Sequence, residues 1–324
     1  MNPPVISIVT PAYNEAENLP KLYERIRQVD WAGVGVEFEL IIVDDHSSDA
    51  TPMVIDALIA KDPRVRTLRF SRNFGSHAGC TAGLEAATGA AAVVLAADLQ
   101  DPPETIPALV AEWRAGADIV WAVRGEREGE TWQTKLSARL FYALIKRMTR
   151  ADMPPNGVDF FLVDRAVIEA LRLAPERNTS LIAQLQWLGF TQRSLVYTKR
   201  ERAAGRSKWT LAKRIKLSMD WIVGFSYFPI RFMSGLGLVF ACLGFLYALF
   251  LIVRRFVFTV PVEGWTSLIS VVLITSGVQL IMLGVLGEYL WRSFDASRQR
   301  PRFIVERRRG FPGRAEEVPG SRGR

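Results

Sequence analysis

The stretch VVLAADLQDPPE, residues 93–104, decides how the front part of this chain is organised. It continues an apolar run typical of a buried β-strand and ends in an acidic turn closed by two prolines. Similar apolar runs occur at residues 5–13, 38–45, 65–71 and 117–123, and segments of helical character separate the runs near 15–29, 50–61, 76–88 and 104–116. Strands that alternate with helices predict repeated β-α units on a mostly parallel sheet.

Three of the predicted strands end in polar clusters, PAYNEAEN (11–18), VDDHSSDAT (43–51) and ADLQDPPE (97–104). Carboxyl ends of parallel strands share one edge of a sheet, and ligands bind outside that edge. We therefore expect one crevice lined by Asn14, Glu15, Asp44, Asp45, Asp98, Gln100 and Asp101. Single members of such clusters also suit turns or helix N-caps, as Asp49, Thr51 and Asp101 do. Capping does not require paired aspartates after a buried strand, so the clusters together favour a binding site.

Carboxylates at this edge are suited to a divalent cation, because Mg²⁺ takes one or two carboxylates together with water and substrate phosphates. Such a cation neutralises a leaving diphosphate. The glycine-rich dinucleotide fingerprint is absent after the first strand, which argues against a nicotinamide site. Two cysteines and two histidines argue against a disulfide framework and a zinc centre.

Two apolar stretches, residues 232–253 and 265–287, dominate the C-terminal part of the chain. Each is long enough as a helix to cross a bilayer core of about 30 Å; ordinary core helices are the alternative, which two stretches in tandem disfavour. Lys and Arg concentrate outside the pair, so the positive-inside rule predicts both termini on the cytoplasmic side. MNPPVISIV shows no cleavable signal pattern. The net charge of +8 suits anionic lipid, and no nucleic-acid-binding motif accompanies it.

Seven motifs occur in a characteristic order: PAYNEAENL, VDDHSSDAT, RNFGSHAGCTAGLEAATG, ADLQDPPE, DFFLVDR, RAAGRSKW and GEYLWRSFDASRQRPRFIVE. Together they resemble the polyprenyl-phosphate glycosyltransferases of glycosyltransferase family 2, the group of dolichyl-phosphate mannose synthase and bactoprenol glucosyltransferase. The resemblance implies an α/β fold of the GT-A type, with a Rossmann-like, mostly parallel sheet. It further implies a catalytic domain at 1–205, basic amphipathic interfacial helices at 206–231, a two-helix transmembrane hairpin at 232–291 and a basic cytoplasmic tail at 292–324. The Arg, Gly and Pro content from Arg307 onward predicts disorder there.

The resemblance also implies a reaction, the inverting transfer of a monosaccharide to undecaprenyl or another polyprenyl phosphate on the cytoplasmic face of the inner membrane. UDP-glucose or a related UDP-sugar is the expected donor. A processive polysaccharide synthase is an alternative, although QLQWLG (184–189) lacks the arginine of the Q-x-x-R-W signature. A membrane-anchored nucleotide-sugar-binding protein without turnover is another, favoured by Ala96 and Phe161, which replace an Asp and an Arg of many relatives. Small residues at 235–244 suggest a homo-oligomer.

Residue roles follow from the same resemblance. The donor site is expected to comprise Pro11, Tyr13, Asn14, Glu15, Asp44, Asp45, Asp98 and Gln100, and the last two are also the expected ligands of Mg²⁺ or Mn²⁺. The acceptor phosphate is expected to contact Arg124, Lys135, Arg202, Ser207 and Lys208. Asp159 is the expected catalytic carboxylate beside Asp98, and Asp164 is expected to cap a helix. Independently of the resemblance, the i, i+4 spacing of apolar residues at 131–150, which include Lys135, predicts an amphipathic helix that would lie either on the bilayer or on the sheet edge.

Overall fold

The computed structural model describes residues 3–125, 158, 160–174, 180–197, 228–257 and 264–311. The chain divides into two compact units. Unit 1 comprises Met1–Lys213 together with Pro301–Arg324, and unit 2 comprises Arg214–Arg300.

Unit 1 is built on an eight-stranded sheet in the part of the chain that the structure describes. Its strands are β1 (Val5–Ala12), β2 (Glu37–Asp44), β3 (Val65–Phe70), β4 (Ala91–Val94), β5 (Ile119–Arg124), β6 (Phe160–Asp164), β7 (Gln192–Tyr197) and β8 (Val305–Arg309). Their order across the sheet is β7-β5-β6-β4-β1-β2-β3-β8. The pairs among β1 to β4 are parallel, as is β5 with β7, while β6 and β8 run antiparallel to their neighbours.

Helices cover both faces of this sheet. They are α1 (Leu19–Arg27), α2 (Trp31–Val34), α3 (Thr51–Lys61), α4 (Ser76–Ala86), α5 (Ile106–Arg114), α6 (Arg165–Leu173) and α7 (Leu181–Trp187), with a 3₁₀ turn at Pro103–Thr105. Side chains of β1 and β2 point alternately to the two faces. One face packs on α1, α3 and α5, and the other on α4, α6 and α7. This layering confirms the predicted α/β class with a mostly parallel sheet.

The part of the sheet beyond β4, which contains β6, β5 and β7, departs from a simple series of β-α units. The fifth strand does not lie beside β4, because β6 is inserted between them and pairs antiparallel with both. The sequence did not predict this strand order, because two pairings between segments distant along the chain place β6 between β4 and β5. Phe161 illustrates it: this residue is buried, and its ring lies 5.4 Å from that of Trp121 on β5.

The last strand, β8, was not predicted either. Disorder was expected from Arg307, but Arg307–Arg309 pairs with β3, so that expectation was wrong for these residues. Charge explains the docking, because Asp56 on α3 lies 2.7 Å from Arg307 and 2.8 Å from Arg309. Packing adds to it, since the Phe303 ring stacks on Phe70 with centroids 5.2 Å apart.

Unit 2 contains α8 (Phe228–Val257) and α9 (Trp265–Ser297). By length and composition both can cross a membrane, with windows at Ile230–Tyr247 and Ser267–Ser297 that have mean hydropathies of 1.7 and 2.3. Their large apolar side chains are exposed, for example Leu238, Phe245 and Leu280. Buried core helices would hide such side chains, so the exposure favours a lipid environment.

Candidate active site

The sheet order places a topological switch point at β1. From β1 the chain extends to β2 and β3 on one side and to β4 on the other, and crevices form at such points outside the carboxyl ends of the strands. The backbone ties these ends together, because Asp45 N donates to Ala12 O at 2.9 Å and Leu95 N donates to Val9 O at 3.0 Å. The loops after β1, β2 and β4 therefore leave the sheet along one edge, as the sequence predicted.

The loop after β1 is joined to the loop after β2 by hydrogen bonds. Asn14 N donates to Ser47 Oγ at 3.0 Å, and Asn14 Oδ1 accepts from Ser48 N at 2.9 Å. Glu15 N donates to Thr51 Oγ1 at 2.9 Å. Asn14 and Glu15, two residues predicted to bind the nucleotide sugar, are thus held in place by the neighbouring loop.

Asp44 is buried at the end of β2, and its carboxylate holds the loop that follows. Its Oδ1 accepts from Ser47 N at 2.9 Å, and its Oδ2 forms an ion pair with Arg69 of β3. Arg69 Nη2 also donates to Ser47 O at 3.2 Å. Sequence reasoning missed Arg69, because its role depends on the pairing of β2 with β3.

Asp45 is only 3% exposed and binds the loop that leads into α4. Its two oxygens accept from Phe74 N at 2.6 Å and from Gly75 N at 2.9 Å. Burial raises the pKa of the Asp45 carboxyl, and these two N–H groups oppose that rise.

Pro11 and Tyr13 stand where β1 leaves the sheet. Gly79 of α4 lies against Pro11, since a Cβ at position 79 would be 2.9 Å from Pro11 Cβ. The Tyr13 side chain is exposed at this edge. An aromatic ring and a closely packed proline beside the polar loops suit the binding of a flat group such as a nucleotide base.

The loop after β4 carries Asp98 and Gln100. Asp98 is half-buried, and its Oδ1 accepts from Gln100 N at 3.2 Å. Arg25 of α1 donates to Leu99 O at 3.3 Å and pairs with Glu104 at 2.7 Å, which holds the loop from outside. Sequence reasoning missed Arg25.

Asp101 was expected to line the crevice, but it is 2% exposed. Its Oδ1 accepts from the hydroxyl of Tyr197 at 2.9 Å, and its Oδ2 accepts from Ala96 N at 3.5 Å. Asp101 thus anchors its own loop to β7. That partner lies far along the chain, so no local pattern could have indicated it.

Backbone strain coincides with the three loops. Asn14, His46 and Leu99 have positive φ angles of 57°, 61° and 63°, and they follow β1, β2 and β4 respectively. Left-handed backbone is unusual for a residue such as leucine and is typical of functional sites.

A divalent cation fits the oxygen groups of this edge only if substrate supplies further ligands. Among the described residues, no group of three or more His, Cys, Asp or Glu side chains is placed to hold a metal ion. Asp98 and Gln100 offer a carboxylate and an amide oxygen in one turn. This set matches Mg²⁺, which commonly binds one or two protein carboxylates and completes its shell with water and phosphates.

Several predicted site residues lie outside the described part of the chain, namely Lys135, Asp159, Arg202, Ser207 and Lys208. Arg124 is described in its backbone, which ends β5 opposite Tyr197. The predicted helix cap is confirmed, because Asp164 Oδ1 accepts from Ala166 N at 2.7 Å at the start of α6.

Comparisons with protein families match both units. Residues 7–172 match glycosyl transferase family 2, and residues 228–292 match the GtrB C-terminal hairpin.

Similar sequences extend over nearly the whole chain. The bactoprenol glucosyl transferase of Shigella phage SfX is 38% identical over 304 residues, covering 94% of this chain and 99% of that protein. An uncharacterized glycosyltransferase of Bacillus subtilis strain 168, YkcC, is 39% identical over 305 residues, covering 94% of both. Among solved structures, the mannosyltransferase PcManGT from Pyrobaculum calidifontis in complex with GDP-Man and Mn²⁺ aligns with a TM-score of 0.46 at 15% identity, covering 90% of this chain and 88% of that one.

Proposed function

Because the chain belongs to glycosyl transferase family 2 and carries a GtrB C-terminal hairpin, we propose that it transfers a monosaccharide from a nucleotide sugar to a polyprenyl phosphate. One observation carries this proposal. The similarity to bactoprenol glucosyl transferases covers 93% to 95% of the chain and so includes both the sheet and the apolar hairpin. The proposed donor is UDP-glucose or a related UDP-sugar, and the proposed acceptor is undecaprenyl phosphate.

The donor would bind along the loops after β1 and β2. Tyr13 offers a ring for the base, and the edges of the loops at Asn14 and Glu15 offer polar groups to the ribose and diphosphate. Asp44 and Asp45 are proposed to act at the base and ribose; their hydrogen bonds to Ser47, Phe74 and Gly75 support a role in shaping this pocket. Such prior organisation lowers the entropy that donor binding has to overcome.

Asp98 and Gln100 would hold the divalent cation, Mg²⁺ or Mn²⁺. When bound, the cation would stabilise the negative charge of the departing nucleoside diphosphate. Asp101, Tyr197 and Arg25 keep the loop after β4 in place, so that Asp98 is presented at the edge of the sheet. The chain itself therefore supplies the orientation of this loop.

The chemistry would be a single displacement with inversion. An oxygen of the acceptor phosphate forms a bond to the anomeric carbon, while the bond between that carbon and the diphosphate oxygen breaks. A phosphate monoester has a second pKa of about 6, so the nucleophile is already mostly an anion at neutral pH. Because the nucleophile is already an anion, a strong general base is unnecessary, and Asp159 is proposed to position the acceptor or take its residual proton.

The acceptor phosphate would be held by Arg124, Lys135, Arg202, Ser207 and Lys208, since cations and hydroxyl groups form charge-assisted hydrogen bonds to phosphate oxygens. The two apolar helices support membrane association. We propose the inner membrane, with unit 1 and both termini on the cytoplasmic side, interfacial helices at 206–231 and association into a homo-oligomer.

The test is an assay of the purified full-length protein with labelled UDP-glucose and a short polyprenyl phosphate, with Mg²⁺, with Mn²⁺ and with chelator. Lipid-linked monosaccharide is the expected product. Long polymer would instead indicate a processive synthase, and donor binding without any product would indicate a binding protein. Phe161 gives no support to this last possibility, because it packs in the sheet against Trp121.

A further inference from the structure

The strand that follows the apolar hairpin reaches the predicted donor pocket. β8 pairs with β3, and Ser71 N donates to Ile304 O at 3.0 Å just beyond the end of β3. Phe70, the last residue of β3, contacts both Phe303 and Phe74, with ring centroids 5.2 Å and 5.5 Å apart. The residues that lead into β8 therefore pack on Phe70, which also contacts Phe74 of the loop that Asp45 binds.

Glu306 on β8 faces two side chains of this region. Its Oε2 lies 3.6 Å from Arg69 Nε and 3.8 Å from His46 Nδ1. Arg69 forms the ion pair with the buried Asp44 and donates to Ser47 O, and so holds the loop after β2. Glu306 contacts the guanidinium group of this arginine. A carboxylate in that place limits how far the long arginine side chain can move away from Asp44.

One ring nitrogen of His46 contacts both β3 and β8. Its Nδ1 lies 2.9 Å from Phe70 O, on β3, in addition to the contact with Glu306 on β8. The residue has a φ angle of 61° and its side chain is 44% exposed. An exposed ring in a strained loop beside the predicted base pocket needs such external contacts to keep one orientation.

We propose that Glu306 is a positioning residue of the donor site, which acts through Arg69 and His46 on the loop after β2. This inference rests on the proposed function for the identity of the donor. In the sheet, β8 is separated by β1, β2 and β3 from β4, whose following loop is where the bond to the sugar would break. Removal of Glu306 should therefore weaken the binding of the nucleotide sugar and leave the rate of the chemical step nearly unchanged.

The experiment compares wild type with Glu306→Gln, which keeps the shape and removes the charge, in the purified full-length protein. Calorimetry gives Kd for UDP-glucose, and initial rates give KM and kcat. We expect Kd and KM to rise about 3- to 5-fold, as the loss of a partly exposed charge contact allows, while kcat changes less than about 2-fold. Glu306→Asp keeps the charge on a shorter stem and is expected to recover part of the affinity.

Two controls separate positioning from structure. Glu112 forms a comparable ion pair with Arg193 at 2.9 Å, in contact with β7 at the other edge of the sheet. Glu112→Gln is expected to leave Kd, KM and kcat unchanged. Asp56→Asn removes the partner of Arg307 and Arg309 and is expected to lower Tm, whereas Glu306→Gln keeps the wild-type Tm.

An unchanged Kd in Glu306→Gln would overturn the proposal, as would a rise that Glu112→Gln reproduces or one that comes with the same loss of Tm as in Asp56→Asn. A double variant with His46→Ala gives a further check, because the effect of Glu306→Gln should shrink when one of its two targets is gone. If wild type binds UDP-glucose but forms no lipid-linked sugar, the proposed function fails, and the Kd comparison still decides the role of Glu306. A wild type that binds no UDP-sugar overturns both.

Discussion

Asp98 is more accessible than Asp44, Asp45 and Asp101, the other aspartates of the predicted crevice. Asp44, Asp45 and Asp101 are nearly inaccessible, and their oxygens accept from an arginine, from backbone N–H groups or from a tyrosine. Asp98 is half-buried in a turn and accepts from the backbone of Gln100. Of these four carboxylates, Asp98 is the most accessible, and it is the one that we propose for the metal and the diphosphate.

Asp98→Asn tests this assignment. The variant removes one negative charge and keeps the side-chain shape, so turnover should fall by about 100-fold or more because charge stabilisation at the leaving group is lost. Tm should stay near the wild-type value. Asp118→Asn is the matched control, since Asp118 accepts from Thr191 N at 2.9 Å at the start of β5, on the opposite edge. Near-normal turnover in Asp98→Asn would contradict the metal role.

The lowered pKa of Asp62 predicts how the stability of the protein depends on pH. Hydrogen bonds and charge from Arg64 lower the pKa of this carboxyl to about 2, and the Tyr23 hydroxyl adds a bond at 3.0 Å. A pKa lowered on folding stabilises the protein above the unfolded value of about 3.9, and the contribution is lost as pH falls toward 2. Asp62→Asn should therefore cost about 1–2 kcal/mol of unfolding free energy at pH 7, after allowance for the exposed arginine.

Thermal unfolding of both proteins between pH 7 and pH 3 provides the measurement. The difference in Tm between wild type and Asp62→Asn should be constant above about pH 5 and should shrink below about pH 4, where unfolded Asp62 takes up a proton. A difference that persists unchanged at pH 3 would show that lost packing, and not charge, explains the effect.

Sequence patterns could place the aspartates on one edge but could not assign their separate tasks. The position of Asp101 after a predicted strand is a local property, whereas its bond to Tyr197 depends on β7. In the same way Asp44 depends on Arg69, which is brought close by strand pairing. Segments that are distant along the chain determine how deeply a carboxylate is buried and which groups it contacts. A local sequence pattern carries no information about these contacts.

At the scale of elements, the first four strands and their helices agree with the predicted series because each has a strong local pattern. β6 and β8 do not follow that series. Phe161 pairs with Val94 on one side and with Trp121 on the other, so the position of β6 results from two non-local registers. Four of the five residues of β8 are charged, a composition typical of a solvated tail. Its strand conformation depends on Asp56 and on the edge of β3, which are distant in the sequence.

The contact between α4 and β1 gives a prediction at this scale. Gly83 lies so close to the strand that a Cβ there would be 2.2 Å from Val9 Cγ1, and Val9 is fully buried. Gly83→Ala should lower the unfolding free energy by about 1–3 kcal/mol, because overpacking forces the helix or the valine to move. Gly277→Ala, in α9 with no atom within 4 Å of the added Cβ, is the control and should cost nothing. Equal Tm values for wild type and Gly83→Ala would contradict the close contact.

At the scale of the whole molecule, the path of the chain limits the membrane topology. The chain leaves unit 1, forms α8 and α9, and returns to unit 1, where β8 pairs with β3. Two crossings return a chain to its starting side. If both helices span the membrane, residues before and after them therefore lie on the same side, which agrees with the distribution of Lys and Arg in the sequence.

Single cysteines test this topology. Met53 on α3 and Arg308 on β8 are exposed, and Gly264 precedes α9 between the two helices. In inverted vesicles, an impermeant maleimide should label Met53→Cys and Arg308→Cys and leave Gly264→Cys unlabelled, and intact cells should give the reverse. Cys80 and Cys242, the two cysteines of the chain, are both replaced by alanine, so that only the introduced thiol can react. Labelling of positions 53 and 308 from opposite sides would contradict two crossings, and labelling of all three from one side would contradict any crossing at all.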